Sequence, residues 1–299
     1  TYYFIYEVAN GCTAVGSVAV TTTPDVCCSP DAGVLTETSQ CIQFCSNDTG
    51  IIGSTDIVVD LTGITNPAIP ADYTYAILIT NASGLIVYTQ TVIVGGNAPA
   101  SVVVTPPANL IPGTYTIRGY HFKTADPILP SLASLTGTNI SALIALLDFV
   151  DSNDAAGTGN GCGDITNSGT NTVPFTVLAP IVITAQATCA GSPSSLPLNP
   201  LSSSQYQIEV TNITGGIAPY TVTLDINGDG DVADANETQT FTGTALIFGL
   251  INHTGTGTGI KTVNATDSRA TTDTDCPTAC TASKQIIETL CPEIGDGCD

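Results

Sequence analysis

Residues 74–94 read TYAILITNASGLIVYTQTVIV, two runs of β-branched, aliphatic and aromatic residues that flank the turn residues Asn81 and Gly84. Residues of this kind are enriched in strands, whereas Asn and Gly favour tight turns. The stretch therefore predicts two strands, Thr74–Thr80 and Ile86–Val94. The same alternation of short strands and turn residues continues along most of the chain, which indicates an all-β protein.

The other predicted strands fall into two series. The first series adds Asp56–Leu61, Ala100–Thr105, Gly113–Phe122 and Thr172–Leu178. The second series is Ile181–Ala187, Gln205–Thr211, Tyr220–Asp225, Thr238–Thr242, Ala245–Leu250, Gly259–Thr266 and Ser283–Thr289. Strands at this spacing are typical of antiparallel immunoglobulin-like sandwiches. Residues 124–160 interrupt the first series, and their centre predicts one short helical insertion with Asn139 as its N-cap.

The predicted architecture is a tandem of sandwiches preceded by a β-hairpin. With 299 residues, the chain is long enough for two domains. The hairpin consists of strands Tyr2–Val8 and Ser17–Thr21 around an Asn10-Gly11 turn. We divide the chain into a hairpin that completes a neighbouring sandwich (1–24), a first sandwich with the insertion near 124–160 (25–180), a second sandwich (181–290) and a cysteine-bearing linker (291–299).

Composition limits the classes of partner. The chain carries 26 acidic and 5 basic residues, for a formal net charge of −21. Such a polyanion repels nucleic acid and anionic lipid, and it attracts divalent cations. No apolar run approaches the roughly 20 residues of a membrane helix, so we expect no membrane insertion. Because the chain begins at Thr1, we expect that it was processed or cut from a longer one.

Eleven cysteines and two histidines indicate disulfides in an oxidising compartment rather than zinc sites, so we expect an extracellular or cell-surface location. The odd count leaves one thiol free or paired with another chain. In an immunoglobulin-type sandwich, the first strand starts at the same pole as the loop between the last two strands. We therefore predict pairing of Cys162 with Cys27, Cys28, Cys41 or Cys45, and of Cys189 with Cys276 or Cys280.

One arrangement occurs three times: a strand, a cysteine-bearing turn, a return strand and then another cysteine. It begins at Tyr3, at Tyr115 and at Lys261. We interpret each occurrence as the last two strands of a sandwich followed by a linker. The chain is then either a segment of a longer repeat array or a polymerising subunit whose residues 1–24 add to the sheet of another copy. In a third interpretation, the hairpin packs on its own first domain.

Two motifs carry a resemblance to a known group of proteins. Residues 2–20, YYFIYEVANGCTAVGSVAV, resemble the closing hairpin of the immunoglobulin-like and PKD-like repeats in large secreted surface proteins of Bacteroidetes. Gly215-Gly-Ile-Ala-Pro-Tyr220-Thr-Val resembles a strand entry of the same repeats. The two motifs cover about a tenth of the chain. The resemblance implies an adhesin, a gliding-motility protein or a surface-filament component.

The segment from Asp225 to Glu237, DINGDGDVADANE, is the sharpest candidate for a binding site. Its oxygen-bearing side chains alternate, and a Gly stands at the sixth position, as at the opening of a calcium loop. The candidate calcium ligands are Asp225, Asn227, Asp229, Asp231, Asp234 and Glu237. Glu237 falls one position late for the helix-loop-helix template, and strands rather than helices flank the loop. The alternative is a solvated acidic turn.

Nothing in the sequence nominates a catalytic centre, so we predict that the protein is not an enzyme. His121 lies in a predicted strand and His253 in a Gly/Thr-rich loop, and both fit ordinary structural positions. The first functional hypothesis is a structural subunit of an extracellular filament or adhesive cell-surface array. It would bind other copies of itself through residues 1–24 and be stabilised by disulfides. The alternative is a calcium-dependent binding module, either an adhesin domain or a carbohydrate-binding domain with surface glycans as ligands.

Overall fold

The computed structural model of the chain describes residues 2–7, 13–18, 30–38, 41–47, 50–51, 56–65, 70–147, 159–167, 169–189, 205–253, 259–269, 276 and 278–290. Within these ranges the chain forms two antiparallel β-sandwiches in tandem, with a separate hairpin before them. The prediction of an all-β, tandem immunoglobulin-like fold is confirmed by this strand order. Among the described residues, no helix is long and apolar enough to cross a membrane.

The hairpin consists of β1 (Tyr2–Glu7) and β2 (Thr13–Val18). Its register pairs Glu7 with Thr13, so β2 begins four residues before the predicted return strand. The two strands pair only with each other among the described strands. The assignment of residues 1–24 to a neighbouring sandwich stays a prediction, and residues 291–299 lie outside the described part of the chain.

The first sandwich faces a three-stranded sheet against a larger one. The smaller sheet has the order β10-β7-β3, and the larger has the order β9-β8-β11-β13-β4, with β12 paired to the end of β11. A further pair, β5 and β6, lies outside both sheets. The strands are β3 (Val34–Glu37), β4 (Gln43–Phe44), β5 (Ser46–Asn47), β6 (Gly50–Ile51), β7 (Ile57–Thr62), β8 (Tyr73–Asn81), β9 (Ile86–Val94), β10 (Ser101–Val104), β11 (Gly113–Lys123), β12 (Gly163–Ile165) and β13 (Val173–Val177).

Strand β8 explains why the sequence of residues 74–80 is apolar at nearly every position. Tyr75, Ile77 and Ile79 point into the core between the two sheets. Ala76 and Leu78 belong to a second apolar cluster on the opposite face of the same sheet. A strand that is covered on both faces does not alternate between apolar and polar residues.

The second cluster exists because the insertion folds over the sheet. It forms two short helices, α1 (Leu132–Leu135) and α2 (Ile140–Ile144), where one was predicted. Asn139 caps α2 as predicted, since its Oδ1 accepts a hydrogen bond from the Ser141 amide at 2.9 Å. Leu135, Ile140 and Leu143 are buried against Leu78. The insertion is therefore a core element of the first sandwich, and a short 3-10 helix (Pro70–Asp72) precedes β8 on the chain.

The second sandwich has seven strands. One sheet has the order β14-β15-β18 and the other β17-β16-β19-β20. Its core contains Tyr206, Val222 and Phe248, each almost fully buried. The strands are β14 (Val182–Thr188), β15 (Gln205–Thr214), β16 (Tyr220–Thr223), β17 (Thr238–Phe241), β18 (Leu246–Asn252), β19 (Ile260–Asp267) and β20 (Thr281–Ile287).

The sandwiches differ in the path of their first strand. In the first sandwich this strand is split, because β3 pairs with β7 in one sheet and β4 crosses to pair in parallel with β13 in the other. In the second sandwich β14 stays with β15 from Val182 to Thr188. The sequence analysis placed no strand between residues 25 and 47. The structure has β3, β4 and β5 there, and β3 and β4 belong to the two sheets of the first sandwich.

His121 lies in a buried polar cluster at one pole of the first sandwich. Its ring is fully buried against the rings of Tyr73 and Tyr75. Nδ1 lies 3.3 Å from the Asp31 carbonyl oxygen, so this nitrogen carries the proton of the neutral ring and donates it. Nε2 has no hydrogen-bond partner. Burial lowers the pKa of His121 below its ordinary value, and the hydrogen bond to Asp31 opposes that shift.

We predict that His121 makes the protein less stable in mild acid. The unfolded chain takes up a proton near pH 6.5, whereas the folded chain takes it up at lower pH, so stability is complete above 6.5 and is lost as pH falls through the lowered pKa. A His121→Gln variant lacks this titration. Urea unfolding of both proteins between about pH 7.5 and 5 should show the stability advantage of the wild type shrinking with falling pH. A constant difference across this range would contradict the assignment.

Candidate functional site

The predicted calcium loop connects β16 to β17 in the second sandwich. Gly228 and Gly230 have positive φ angles of 83° and 96°, and Asn236 has a φ of 72°. Glycine and asparagine adopt this conformation with the least strain, which explains why they occupy these positions. The loop can therefore fold back on itself several times within thirteen residues.

Backbone amides surround the first carboxylate of the loop. The Gly228 amide donates to Asp225 Oδ1 at 2.5 Å, and the Gly230 amide donates to Oδ2 at 3.1 Å. Further along, the Ala233 amide donates to Asp231 Oδ1 at 2.9 Å. Asp225 and Asp231 thus shape the turn through their own backbone, as Asp side chains commonly do in loops.

The side chain of Asn227 joins two other carboxylates. Its Nδ2 lies 3.0 Å from Asp229 Oδ2 and 2.6 Å from Asp234 Oδ2. The negative charge of Asp229, followed by that of Glu237, raises the pKa of Asp234. A hydrogen bond from the Asp231 backbone lowers the pKa of Asp229. Carboxylates with mutual repulsion of this kind gain from a shared cation.

Glu237 lies beneath the loop and is only 1% exposed. Its Oε1 accepts a hydrogen bond from the Ile226 amide at 2.7 Å, whereas Oε2 is buried and has no partner. The ammonium group of Lys261 lies nearby and donates to the carbonyl oxygens of Asp225 and Ile226 at 2.8 and 3.0 Å. A buried carboxylate oxygen without a partner is costly, which makes Oε2 the most unusual atom of the loop.

The loop contains the right donor chemistry for a hard cation but does not present it as a cage. Asp229 and Asp234 converge on Asn227, while Asp225, Asp231 and Glu237 bond to loop amides. In the described part of the chain, no three His, Cys, Asp or Glu side chains form a group arranged to hold a metal. To bind calcium, the carboxylates of Asp225, Asp231 and Glu237 would have to give up hydrogen bonds from loop amides or share them with the ion. Calcium binding therefore stays a prediction.

Two disulfides join the sandwiches to each other. Cys41 is bonded to Cys276 and Cys45 to Cys280, with Cα–Cα distances of 4.5 and 5.5 Å. The first pair of cysteines flanks β4 in the first sandwich. The second pair lies between β19 and β20 in the second sandwich. The sequence did not predict a covalent junction between domains.

The predicted pairing of Cys189 with Cys276 or Cys280 was wrong because of the length of β14. Cys189 follows the end of this strand, which at about 3.3 Å per residue is roughly 20 Å from its beginning. The beginning of β14 is the part that lies near residues 281–284, which directly follow Cys280 at the start of β20. Cys189 is instead in another disulfide.

The prediction for Cys162 was wrong for two of its four candidates. Cys162 is disulfide-bonded, but Cys41 and Cys45 are bonded elsewhere. It lies at the pole where β11 ends, since its carbonyl accepts the Lys123 amide at 2.9 Å. Cys41 and Cys45 come after β3 in the sequence and lie at the opposite pole, next to the end of β13. Cys27 and Cys28 are outside the described residues.

Polar groups that the sequence analysis missed reinforce the junction. Arg269, only 4% exposed, donates from Nη1 to the Gln43 carbonyl of the first sandwich at 2.6 Å. Asp267 holds the loop that carries these contacts, because its carboxylate accepts the amides of Cys280 and Ile217 at 2.8 and 3.0 Å. The rarity of Lys and Arg, five in the whole chain, was the one sequence feature that could have drawn attention to Arg269. Its partner could not be inferred, because Gln43 is 226 residues away.

Comparison with known proteins adds a few distant structures. No family model and no curated protein matches the chain. A three-Ig fragment of titin is 12% identical, with a TM-score of 0.36, over 86% of this chain and 65% of that fragment. A tetra-tandem repeat from the extending region of a large adhesion protein is 15% identical, with a TM-score of 0.25, over 96% of this chain and 55% of that one.

The FN1–FN3 domains of chicken CNTN1 are 9% identical, with a TM-score of 0.27, over 96% of this chain and 76% of theirs. The chain thus spans less than two thirds of the titin and adhesion-protein fragments. The fold assignment rests on this chain's own strand order.

We predict that the stabilities contributed by the two junction disulfides are not additive, so that removing both costs more than twice as much as removing one. Each alone closes a loop of 235 residues in the unfolded chain, but with one present the other closes a ring of only about ten. Removing either bridge by paired Cys→Ser substitution should cost about 3 kcal/mol, and removing both about 8 kcal/mol. Urea unfolding without reductant measures these values, and the two single-bridge variants are matched controls. Losses that simply add would contradict the shared-loop account.

Proposed function

We propose that this protein is a structural subunit of an extracellular filament or adhesive cell-surface array. The observation that carries the proposal is the double covalent junction, Cys41–Cys276 and Cys45–Cys280. Disulfides persist in oxidising compartments, which supports an extracellular or cell-surface location. Two bridges four residues apart on each side resist rotation as well as separation. This property suits a protein that transmits load from one sandwich to the next.

The hairpin supplies the proposed contact between subunits. Its strands β1 and β2 pair only with each other among the described strands, so each has one free edge. A two-stranded hairpin is marginally stable alone, and free edges readily accept another strand. We infer that residues 1–24 bind other copies of the chain by strand addition. The resemblance to repeats of Bacteroidetes surface proteins agrees with such a role.

Deleting residues 1–24 should abolish self-association. We expect the intact chain to form oligomers or filaments in sedimentation velocity and electron microscopy, because the hairpin adds to another copy. The deletion variant should remain monomeric at the same concentration. Calorimetry of the variant serves as the folding control, since both sandwich cores lie outside the deleted segment. Equal association of the two proteins would overturn the proposal.

A second candidate function is a calcium-dependent binding module, as an adhesin or a domain that binds surface glycans. The specific observation in its favour is Glu237, whose Oε2 is buried without a partner beneath a loop of four further acidic side chains. Oε2 could bind an ion without losing a hydrogen bond, because it accepts none. Asp225, Asn227, Asp229, Asp231 and Asp234 would supply the other ligands.

Calcium should stabilise the wild type and not a Glu237→Gln variant. Extracellular calcium modules commonly have a Kd of about 10⁻⁴ M, so about 10 mM calcium would add about 2.7 kcal/mol to the unfolding free energy. The measurement is urea unfolding with and without calcium. Asp72→Asn, which removes one exposed carboxylate from the first sandwich, is the matched control and should respond like the wild type. The same calcium effect in Glu237→Gln would exclude Glu237 as a ligand.

A further inference from the structure

One face of a sheet in the second sandwich carries no charge. The sheet β17-β16-β19-β20 packs its inner face against the core, where Val222 and Val263 are fully buried. Because successive side chains of a strand point to opposite faces, the residues between these core positions point outward. The charged residues of the four strands are Lys261, Asp267 and Lys284, and all three pair with core residues of a neighbouring strand. The outward face therefore consists of uncharged side chains.

The strand register arranges these outward side chains in rows. One row crosses all four strands through Thr240, Thr221, Thr266 and Thr281. The next row contains Thr238, Thr223, Asn264 and Ser283. Thr262 pairs with Gln285, and a pair formed by Ile260 and Ile287, which are 58% and 64% exposed, ends the array. We call these side chains together the hydroxyl face.

The polar groups of the hydroxyl face are available to a ligand. The hydroxyl of Thr238 donates to the Val232 carbonyl at 3.0 Å, and within the described part of the chain the other side chains of the face make no hydrogen bond to the protein. Each hydroxyl can donate one hydrogen bond and accept others, and each amide can do both. These groups are spaced about 4.8 Å apart from strand to strand and about 6.6 Å apart along a strand.

The absence of charge limits the class of ligand. The chain has a net charge of −21, and the acidic loop from Asp225 to Glu237 adjoins the face because it connects β16 to β17. An anionic ligand is repelled by its surroundings, and a cationic ligand finds no carboxylate on the face itself. A neutral ligand that carries many hydroxyl groups meets neither obstacle, and it can exchange hydrogen bonds with the rows of Thr side chains.

The size of the hydroxyl face argues against a protein as its ligand. Six residue rises from Ile260 to Thr266 and three strand spacings give a face of roughly 20 by 14 Å, or about 300 Å². A stable protein interface buries about 800 Å² on each partner and is enriched in aromatic residues. The hydroxyl face has no aromatic side chain. A single polysaccharide chain needs less area, and the Thr methyl groups and the Ile260–Ile287 pair can contact the C–H groups of its sugar rings.

We propose that the hydroxyl face binds a neutral polysaccharide. The sugar hydroxyls exchange hydrogen bonds with the Thr, Ser, Asn and Gln side chains of the face. The inference rests on the glycan-binding part of the second candidate function and deepens it, because it names the receiving surface and the class of glycan. It does not require calcium, since no side chain of the hydroxyl face is among the candidate calcium ligands.

Two matched double variants test the surface in the intact chain. Thr221→Val with Thr240→Val removes two paired hydroxyls from the face and keeps both the side-chain shape and the preference for strands. Thr184→Val with Thr214→Val makes the same change at two exposed residues of β14 and β15, in the other sheet of the same sandwich. Urea unfolding verifies that both variants are folded.

Retention on immobilised dextran, mannan and cellulose measures binding, with alginate as the anionic control. We expect the wild type to be retained by at least one of the three neutral polymers and not by alginate. The Thr221/Thr240 variant should bind roughly tenfold more weakly, because it lacks two neutral hydrogen bonds. The Thr184/Thr214 variant should bind like the wild type.

The possible results separate this inference from the function on which it rests. Equal binding by the wild type and the Thr221/Thr240 variant would overturn the inference, and if Glu237→Gln then loses binding, the second candidate function stands with its ligand at the acidic loop. No retention of the wild type on any neutral polymer would overturn both. Weaker self-association of the Thr221/Thr240 variant in sedimentation velocity, with polysaccharide retention unchanged, would identify a second copy as the occupant and also overturn the inference.

Discussion

The crossing of β4 from one sheet of the first sandwich to the other is the constraint on which the rest of the structure depends. By pairing in parallel with β13, this two-residue strand brings Cys41 and Cys45 to the pole at which the chain leaves for the second sandwich. The loop between β19 and β20 reaches the same place from the other side. Without the crossing, the two bonded pairs of cysteines, each with a sequence separation of 235 residues, would not come together.

The same crossing gives the two sandwiches different edges. An immunoglobulin-like sandwich leaves the edges of its outer strands unpaired, and unpaired edges are sites of association. In the first sandwich β4 closes one of them. In the second sandwich β14 remains with β15, and among the described strands β20 pairs only with β19. A difference of strand path therefore gives the last strands of the two sandwiches different neighbours, since β13 pairs with β11 and β4 whereas β20 pairs with β19 among the described strands.

Much of the fold was predictable because it depends on local patterns. Long apolar runs such as residues 74–80 and 205–211 identified the central strands, and Asn139 identified the start of a helix. The strands β4 to β6 were missed because each is two residues long and polar in part, so neither hydrophobicity nor periodicity marks them. Cysteine pairing failed for a related reason: it depends on where β4 crosses, which no local signal records.

The Asp225–Glu237 loop shows where sequence patterns reach their limit for function. The spacing of its oxygens predicts a cation site, and the structure confirms that glycine and asparagine permit the tight turns. However, the same carboxylates can satisfy the loop's own amides, and Asp225 and Asp231 do so. The sequence cannot distinguish these two uses because they need the same residues at the same spacing. The buried Oε2 of Glu237 differs from the other carboxylate oxygens of the loop, since it has no hydrogen-bond partner.

A junction of this kind has consequences for how force would pass through the protein. In a chain of sandwiches joined only by linkers, tension on one domain is carried by the single peptide backbone between them. Here residues 178–181 are bypassed by Cys41–Cys276 and Cys45–Cys280, and the buried Arg269–Gln43 contact lies between the sandwiches as well. Tension would thus enter the second sandwich at the turn before β20 rather than at the start of β14.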